Sequence, residues 1–160
     1  MNEFYCGDDL VFKYNVCFLK SNDRILMLNR EKPPIMGVWN GVGGKYEAGE
    51  TADEGAIREV FEETGIKVNE YYSKGVITWD KNEGEKDGLY VYLFEVDATL
   101  GNGPIQKTRE GILDWKQIDW IMNPNNLGIA EMVFQYLPVL LEKESDYLFE
   151  YKDGIVNLIV

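Results

Sequence analysis

The chain has 160 residues, 45% of them apolar, which is enough for one domain with a buried core and too many for a disordered tail. Its 28 acidic and 16 basic side chains, with no histidine, give a formal charge of −12. That charge argues against nucleic-acid polymers and membrane surfaces as partners, but admits a small phosphorylated ligand screened by a divalent cation.

In chain order, Met1 to Asp9 carries acidic residues and no apolar stretch, so no secretion signal is expected there. Cys6 and Cys17 are too few for a disulfide framework or a four-thiolate zinc site and read as reduced thiols. Tyr14 to Leu19 and Arg24 to Leu28 are apolar runs separated by Lys20-Ser21-Asn22-Asp23, which predicts a hairpin. Pro33-Pro34 breaks the chain, and Gly37 to Gly44 holds four glycines in eight residues, a backbone able to approach a ligand closely.

Thr51 to Gly65 is the clearest helix. Thr51 and Glu54 form a capping-box pair, and Gly65 stands where a left-handed C-terminal residue belongs. Lys67 to Asp80 and Leu89 to Val96 read as strands around the polar turn Lys81 to Gly88, and Ile112 to Trp115 as a short strand. Ile129 to Leu141 predicts a second helix, and Asp146 to Val160 a hairpin turning at Asp153-Gly154. Strands and helices mix without regular βαβ alternation. That predicts a single α+β domain over residues 1–160, with helices on both faces of a mixed β-sheet. No apolar run reaches the roughly 18 residues of a membrane span, and a cytoplasmic protein is expected.

The chemistry concentrates in residues 44–66, GKYEAGETADEGAIREVFEETGI. At about 100° per residue, Glu59, Glu62 and Glu63 share one side of the predicted helix, beside the arc of Ala56, Ile57, Val60, Phe61 and Thr64. Like charges at this spacing destabilise an isolated helix by roughly 0.2–0.5 kcal/mol per pair. One account of the pattern is a solvated acidic face. The other is a site for a hard divalent cation, with Arg58, in reach of Glu54 or Glu62, orienting a carboxylate.

The spacing Gly44-x5-Glu50-x7-Arg58-Glu59-Val60-x-Glu62-Glu63-x-Gly65-Ile66 matches in full the signature box of the Nudix hydrolases, and on it the chain is identified as a member of that family. The resemblance implies an α/β/α sandwich whose box forms loop, helix and loop. It also implies Mg2+-dependent cleavage of a diphosphate linkage in a nucleotide-type substrate, with Mn2+ as a substitute. Glu59, Glu62, Glu63 and the Gly44 carbonyl are then metal ligands, Arg58 orients the helix carboxylates, and Glu50 supports the helix start. Many members take one more carboxylate from outside the box. Glu110 matches the Glu-x4-Trp of similar members, ending here at Trp115, the alternative being an exposed loop glutamate.

Val38-Trp39-Asn40-Gly41-Val42-Gly43-Gly44-Lys45 is similar to the stretch found in the branch that hydrolyses oxidised purine nucleoside triphosphates such as 8-oxo-dGTP. The spacing back through Arg30, Arg24 and Tyr14 matches that branch without a gap. The resemblance implies a substrate cradle of Arg30, Gly43, Gly44 and Lys45, with Asn40 reading the purine edge through its amide donor and acceptor. A turn residue bonding its own backbone is the alternative for Asn40. The paired aspartates of that branch have no identical counterpart; Glu131, in Gly128-Ile129-Ala130-Glu131-Met132, is the single acidic candidate for the base. Trp79 either stacks on a base or packs in the core. The implied reaction takes a purine nucleoside triphosphate, oxidised or not, to the monophosphate and pyrophosphate.

Two other functions are disfavoured. An ADP-ribose, nucleotide-sugar or dinucleotide pyrophosphatase is disfavoured in part by the lack of proline between Ile66 and Gly103. A non-catalytic nucleotide-sensing module is disfavoured by the intact box. A small nucleotide is the expected partner of a monomer or homodimer.

Overall fold

The computed structural model describes residues 10–33, 35–82 and 84–159, so the expectation for Cys6 lies outside the described residues. Asn15–Ser21 (β1) and Arg24–Arg30 (β2) form the expected hairpin, turned through Asn22, whose φ of 54° an asparagine tolerates better than most residues. The two strands pair only at Leu19↔Leu26, Lys20↔Ile25 and Ser21↔Arg24, then part. The glycine-dense segment fills the gap. Its Trp39–Asn40 (β3) pairs with Asn29 and Leu28, while Val42 and Gly44 hydrogen-bond Cys17 and Asn15 of β1. A stretch that reads as loop is thus wedged into the sheet.

Ser73–Asn82 (β4), Glu85–Glu95 (β5), Gln106–Lys107 (β6), Gly111–Gln117 (β7), Asp146–Lys152 (β8) and Ile155–Leu158 (β9) complete a sheet of order β6-β7-β2-β1-β5-β4-β8-β9. The β1–β5 and β4–β8 pairings are parallel and the others antiparallel, so the sheet is mixed as expected. Strand β4 starts at Ser73, not Lys67, and β5 at Glu85, not Leu89. Charged residues at the hairpin tip pair through their backbone, Trp79↔Asp87 and Asp80↔Lys86, and Lys86 also meets the Asp80 carboxylate at 3.3 Å. An apolar pattern cannot register such pairing.

Ala52–Thr64 (α1) covers one face, where Ala52, Ala56 and Val60 pack on Cys17, Leu19, Leu28 and Val42. Ile118–Ile121 (α2) and Val133–Glu142 (α3) cover the other, where Ile121, Val133, Tyr136, Leu137 and Leu140 pack on Phe18, Met27, Val91 and Phe149. Alternation along β1 sends Cys17 and Leu19 to the first core and Phe18 to the second. Each fully buried side chain of this size contributes roughly 1.5–3 kcal/mol. The layers are those of an α/β/α sandwich.

Helix α3 begins at Val133 rather than Ile129 because β3 engages the preceding backbone. The Trp39 N–H donates to Gly128 O at 2.7 Å, and the Ala130 N–H to Trp39 O at 3.0 Å. Among the described residues no helix is long and apolar enough to cross a membrane.

Candidate active site

Local sequence sets the position of α1. The Thr51 hydroxyl accepts the Glu54 N–H at 3.1 Å, Glu54 accepts the Thr51 N–H at 3.1 Å, and Gly65 (φ 74°) ends the helix. An N-cap of this kind is worth about 1 kcal/mol. With Ala52, Ala56 and Val60 against the sheet, Glu59, Glu62 and Glu63 emerge along the rim of the helix.

Arg58 ties the box together. It donates to both Glu50 oxygens (2.6 and 2.9 Å), to Glu59 at 2.9 Å, to Glu62 at 3.1 Å and to the Lys45 carbonyl at 3.1 Å. The guanidinium holds the Glu50 carboxyl below the usual range, and Glu50, then Glu59, hold Arg58 more firmly protonated. Of the two partners expected for Arg58, Glu62 is engaged and Glu54 is not, since the capping box occupies Glu54.

Glu59 is buried, and a Cβ on Gly44 would lie 2.7 Å from its carboxyl. Only a bare backbone leaves room for that carboxylate. Gly43, at φ +150°, is equally constrained, since a Cβ there would collide with the Asn15 carbonyl. Burial raises the Glu59 pKa and Arg58 opposes the rise.

Glu63 is half-buried, and among the described residues no hydrogen bond or ion pair holds it. Its carboxyl is pushed up to about 7, first by burial and then by Glu110, Glu59 and Glu62, against the pull of Arg30. Glu110 enters from the loop between β6 and β7. The Thr108 hydroxyl accepts the Glu110 and Gly111 N–H groups at 3.2 Å each, and the Glu31 N–H donates to the Glu110 carbonyl at 3.0 Å. Arg30 lies 3.5 Å from the Glu110 carboxylate.

The raised Glu63 pKa has a consequence for the metal-free protein. The unfolded chain releases this proton near 4.5, whereas the folded chain retains it up to about 7. Stability from this group is therefore full below the lower value and lost as pH rises through the higher one. In EDTA, the Tm of the wild type should fall more steeply between about pH 5 and 8 than that of Glu63→Gln. Parallel curves would exclude Glu63 as the source.

Glu63 and the three carboxylates within its Coulombic reach, Glu59, Glu62 and Glu110, supply hard oxygens of net negative charge, a donor chemistry that fits Mg2+ or Mn2+. As arranged, they form an open edge and not a closed cage: among the described residues no three acidic groups are gathered as a ready metal cluster. Arg58 takes an oxygen of Glu59 and of Glu62, and the Glu62 side chain, 54% exposed, is free to turn away from it.

The remaining sequence candidates lie around this edge or behind it. Lys45 is exposed, with its carbonyl held by Arg58. The Asn40 Oδ1 accepts the Gly41 N–H at 2.8 Å, which is the turn bond foreseen as the alternative to base contact and which leaves the amide hydrogens available. Glu131 is exposed and follows directly the segment bridged to β3, so the Trp39–Ala130 hydrogen bond sets Asn40 and Glu131 on adjoining backbones. Trp79 is half-buried with Trp39 against the core beneath α3, on the opposite face of the sheet from α1. Sequence reasoning missed Thr108, whose Thr-x-Glu-Gly context is a readable hydroxyl turn, and Asn15, for which the linear pattern offers no signal.

Comparison with known proteins agrees with this geometry. The NUDIX domain model matches residues 12–140. The oxidized purine nucleoside triphosphate hydrolase of Mus musculus is 31% identical over 147 residues, spanning 90% of this chain and 90% of its own. The uncharacterized Nudix hydrolase YvcI of Bacillus subtilis is 33% identical over 109 residues, 67% of this chain and 66% of its own. The crystal structure of the mutator MutT protein from Bacillus halodurans superposes with a TM-score of 0.65 at 28% identity, covering 92% of this chain and 94% of that one. An intact box on a capped helix, a sandwich fold and a family match over most of the length agree: the chain belongs to the Nudix hydrolase family.

Proposed function

We propose that this Nudix hydrolase cleaves a purine nucleoside triphosphate, oxidised forms included, to the monophosphate and pyrophosphate in the cytoplasm. The observation that supports it most is that Glu59, Glu62 and Glu110 lie within Coulombic reach of Glu63 along one open edge, where among the described residues Glu63 carries no ion pair and its carboxyl is pushed up to about 7. Carboxylates crowded in this way are best explained by positive charge arriving with a phosphorylated ligand. The similarity to the mouse hydrolase over 90% of both chains supports the purine triphosphate as substrate.

Glu59, Glu63 and Glu110, the Gly44 carbonyl and a Glu62 released from Arg58 would hold Mg2+, or Mn2+ in its place. When bound there, the ion neutralises phosphate charge and stabilises the leaving phosphate. Arg58 keeps Glu59 and the 45–50 loop in place, and Arg30, beside Glu110, presents positive charge to the phosphates. Water attacks phosphorus as the bond to the bridging oxygen breaks, and Glu63, which no hydrogen bond holds among the described residues, is placed to take the water proton and pass it to solvent. Asn40 donates its amide hydrogens to the base, and Glu131 accepts from it.

Release of pyrophosphate from a panel of nucleoside triphosphates, their oxidised forms, ADP-ribose and dinucleoside polyphosphates tests this reading in Mg2+ buffer. Purine triphosphates should lead, and Asn40→Ala should lower their kcat/KM by about tenfold, a hydrogen-bond-sized loss, while sparing pyrimidines. Faster turnover of ADP-ribose would reassign the substrate; binding without turnover of any compound would make the protein a sensor.

A further inference from the structure

Asn15, the first residue of β1, is 3% exposed and belongs to none of the roles above. It grips the Gly44 backbone at both its carbonyl and its N–H. Its backbone N–H donates to the Gly44 carbonyl at 3.0 Å, and its side-chain Oδ1 accepts the Gly44 N–H at 3.2 Å. Gly43 packs directly on the same residue, since a Cβ there would meet the Asn15 carbonyl and lie 2.7 Å from Oδ1. On the far side of Gly44 stands the Glu59 carboxyl, 2.7 Å from where a Cβ would be. Asn15, Gly44 and Glu59 are therefore stacked in series, with no slack between them.

The side chain is also costly to keep. Its Nδ2 is buried without a well-formed hydrogen bond. The Tyr46 hydroxyl gives its proton to the Ala52 carbonyl at 3.0 Å and so meets the Asn15 amide only through its oxygen, as an acceptor. The weak Cys17 thiol contact, at 3.6 Å, goes to Oδ1. An apolar residue would remove this poorly satisfied donor and suit a buried strand position better. A carboxamide that is poorly satisfied for stability but well placed on Gly44 points to function.

We propose that Asn15 is a positioning residue, clamping the Gly44 peptide between β1 and α1 so that the Gly44 carbonyl and the Glu59 carboxylate are held in register at the metal-binding edge. The proposal rests on the reading of that edge as a divalent-cation site. Asn15 touches no reacting atom. It acts through Gly44, and its loss lets the Gly43–Gly44 turn relax and the Glu59 carboxyl shift into the space released.

Mn2+ binding, followed by the electron paramagnetic resonance signal of the free ion, tests this without relying on turnover. Asn15→Ala should weaken Mn2+ binding about tenfold, the value of a lost hydrogen bond to a positioned group, and Asn15→Thr, which restores an uncharged acceptor, should recover most of it. Ser21→Ala is the control, because it removes a buried hydroxyl at the other end of β1 that bonds Asp97 and Gly101. It should lower Tm and leave Mn2+ affinity unchanged. Wild-type affinity in Asn15→Ala, or an equal loss in Ser21→Ala at matched Tm, overturns the positioning role. A wild-type protein that binds no Mn2+ overturns the metal reading itself, and the proposal with it.

Discussion

Glu63→Gln should lower kcat by about 10²–10⁴-fold, the range contributed by a positioned acid–base group, while raising the Tm of the metal-free protein at pH values above about 7. Both effects have one cause. Glu63 is desolvated and repelled by Glu110, Glu59 and Glu62, so an isosteric neutral amide relieves the folded state of a charge it holds poorly. The same substitution removes the oxygen placed to receive the water proton. A gain in stability with a loss of turnover is the signature of a residue kept for chemistry. Glu59→Gln should lower kcat by a comparable factor without the gain in Tm, because Glu59 also forms a 2.9 Å ion pair with Arg58. Steady-state kinetics in Mg2+ buffer and thermal denaturation in EDTA check both. A near-wild-type rate in either variant removes that residue from the catalytic set.

Arg58→Leu should be the most destabilising substitution in the box, costing about 3 kcal/mol, the low end of the range for stranding a partner of a buried pair. Arg58 satisfies Glu50 and Glu59, whose side chains are only 14% and 11% exposed, and it pins the Lys45 carbonyl to the helix. Removing it leaves two carboxylates in low dielectric without a counter-charge. Arg58→Lys should recover little, since an ammonium cannot reach both Glu50 oxygens, Glu59 and the carbonyl together. Adding Glu50→Gln to Arg58→Leu should restore part of the loss, a coupling measurable by urea denaturation of the four proteins of the cycle. Additive losses would show that Arg58 contributes through its packed stem and not through its charge.

The box was legible because it is local. A capping pair, an apolar stripe at helical spacing and a C-terminal glycine decide where α1 starts, how it is rotated and where it stops. The side on which Glu59, Glu62 and Glu63 emerge follows from those choices. Gln106–Lys107 and the tips of β4 and β5 were not legible, because polar residues there join the sheet through backbone hydrogen bonds that any side chain permits. Ile129 to Met132 carries a helical pattern and is not helix, because the β3 backbone competes for the same N–H and C=O groups.

By itself the sequence determined the family, the helix that carries the acids and the kinds of oxygen they present, all of which are encoded within a couple of dozen consecutive residues. Only the tertiary structure decided which carboxylates answer to Arg58 and which is left to Glu110, because Glu110 and Glu63 lie on separate elements brought together by β2–β7 pairing. The same holds for Asn15, whose hold on Gly44 exists because β1 and β2 part and admit the glycine segment between them. Contacts between distant segments depend on how the sheet closes, and short-range spacing does not record that.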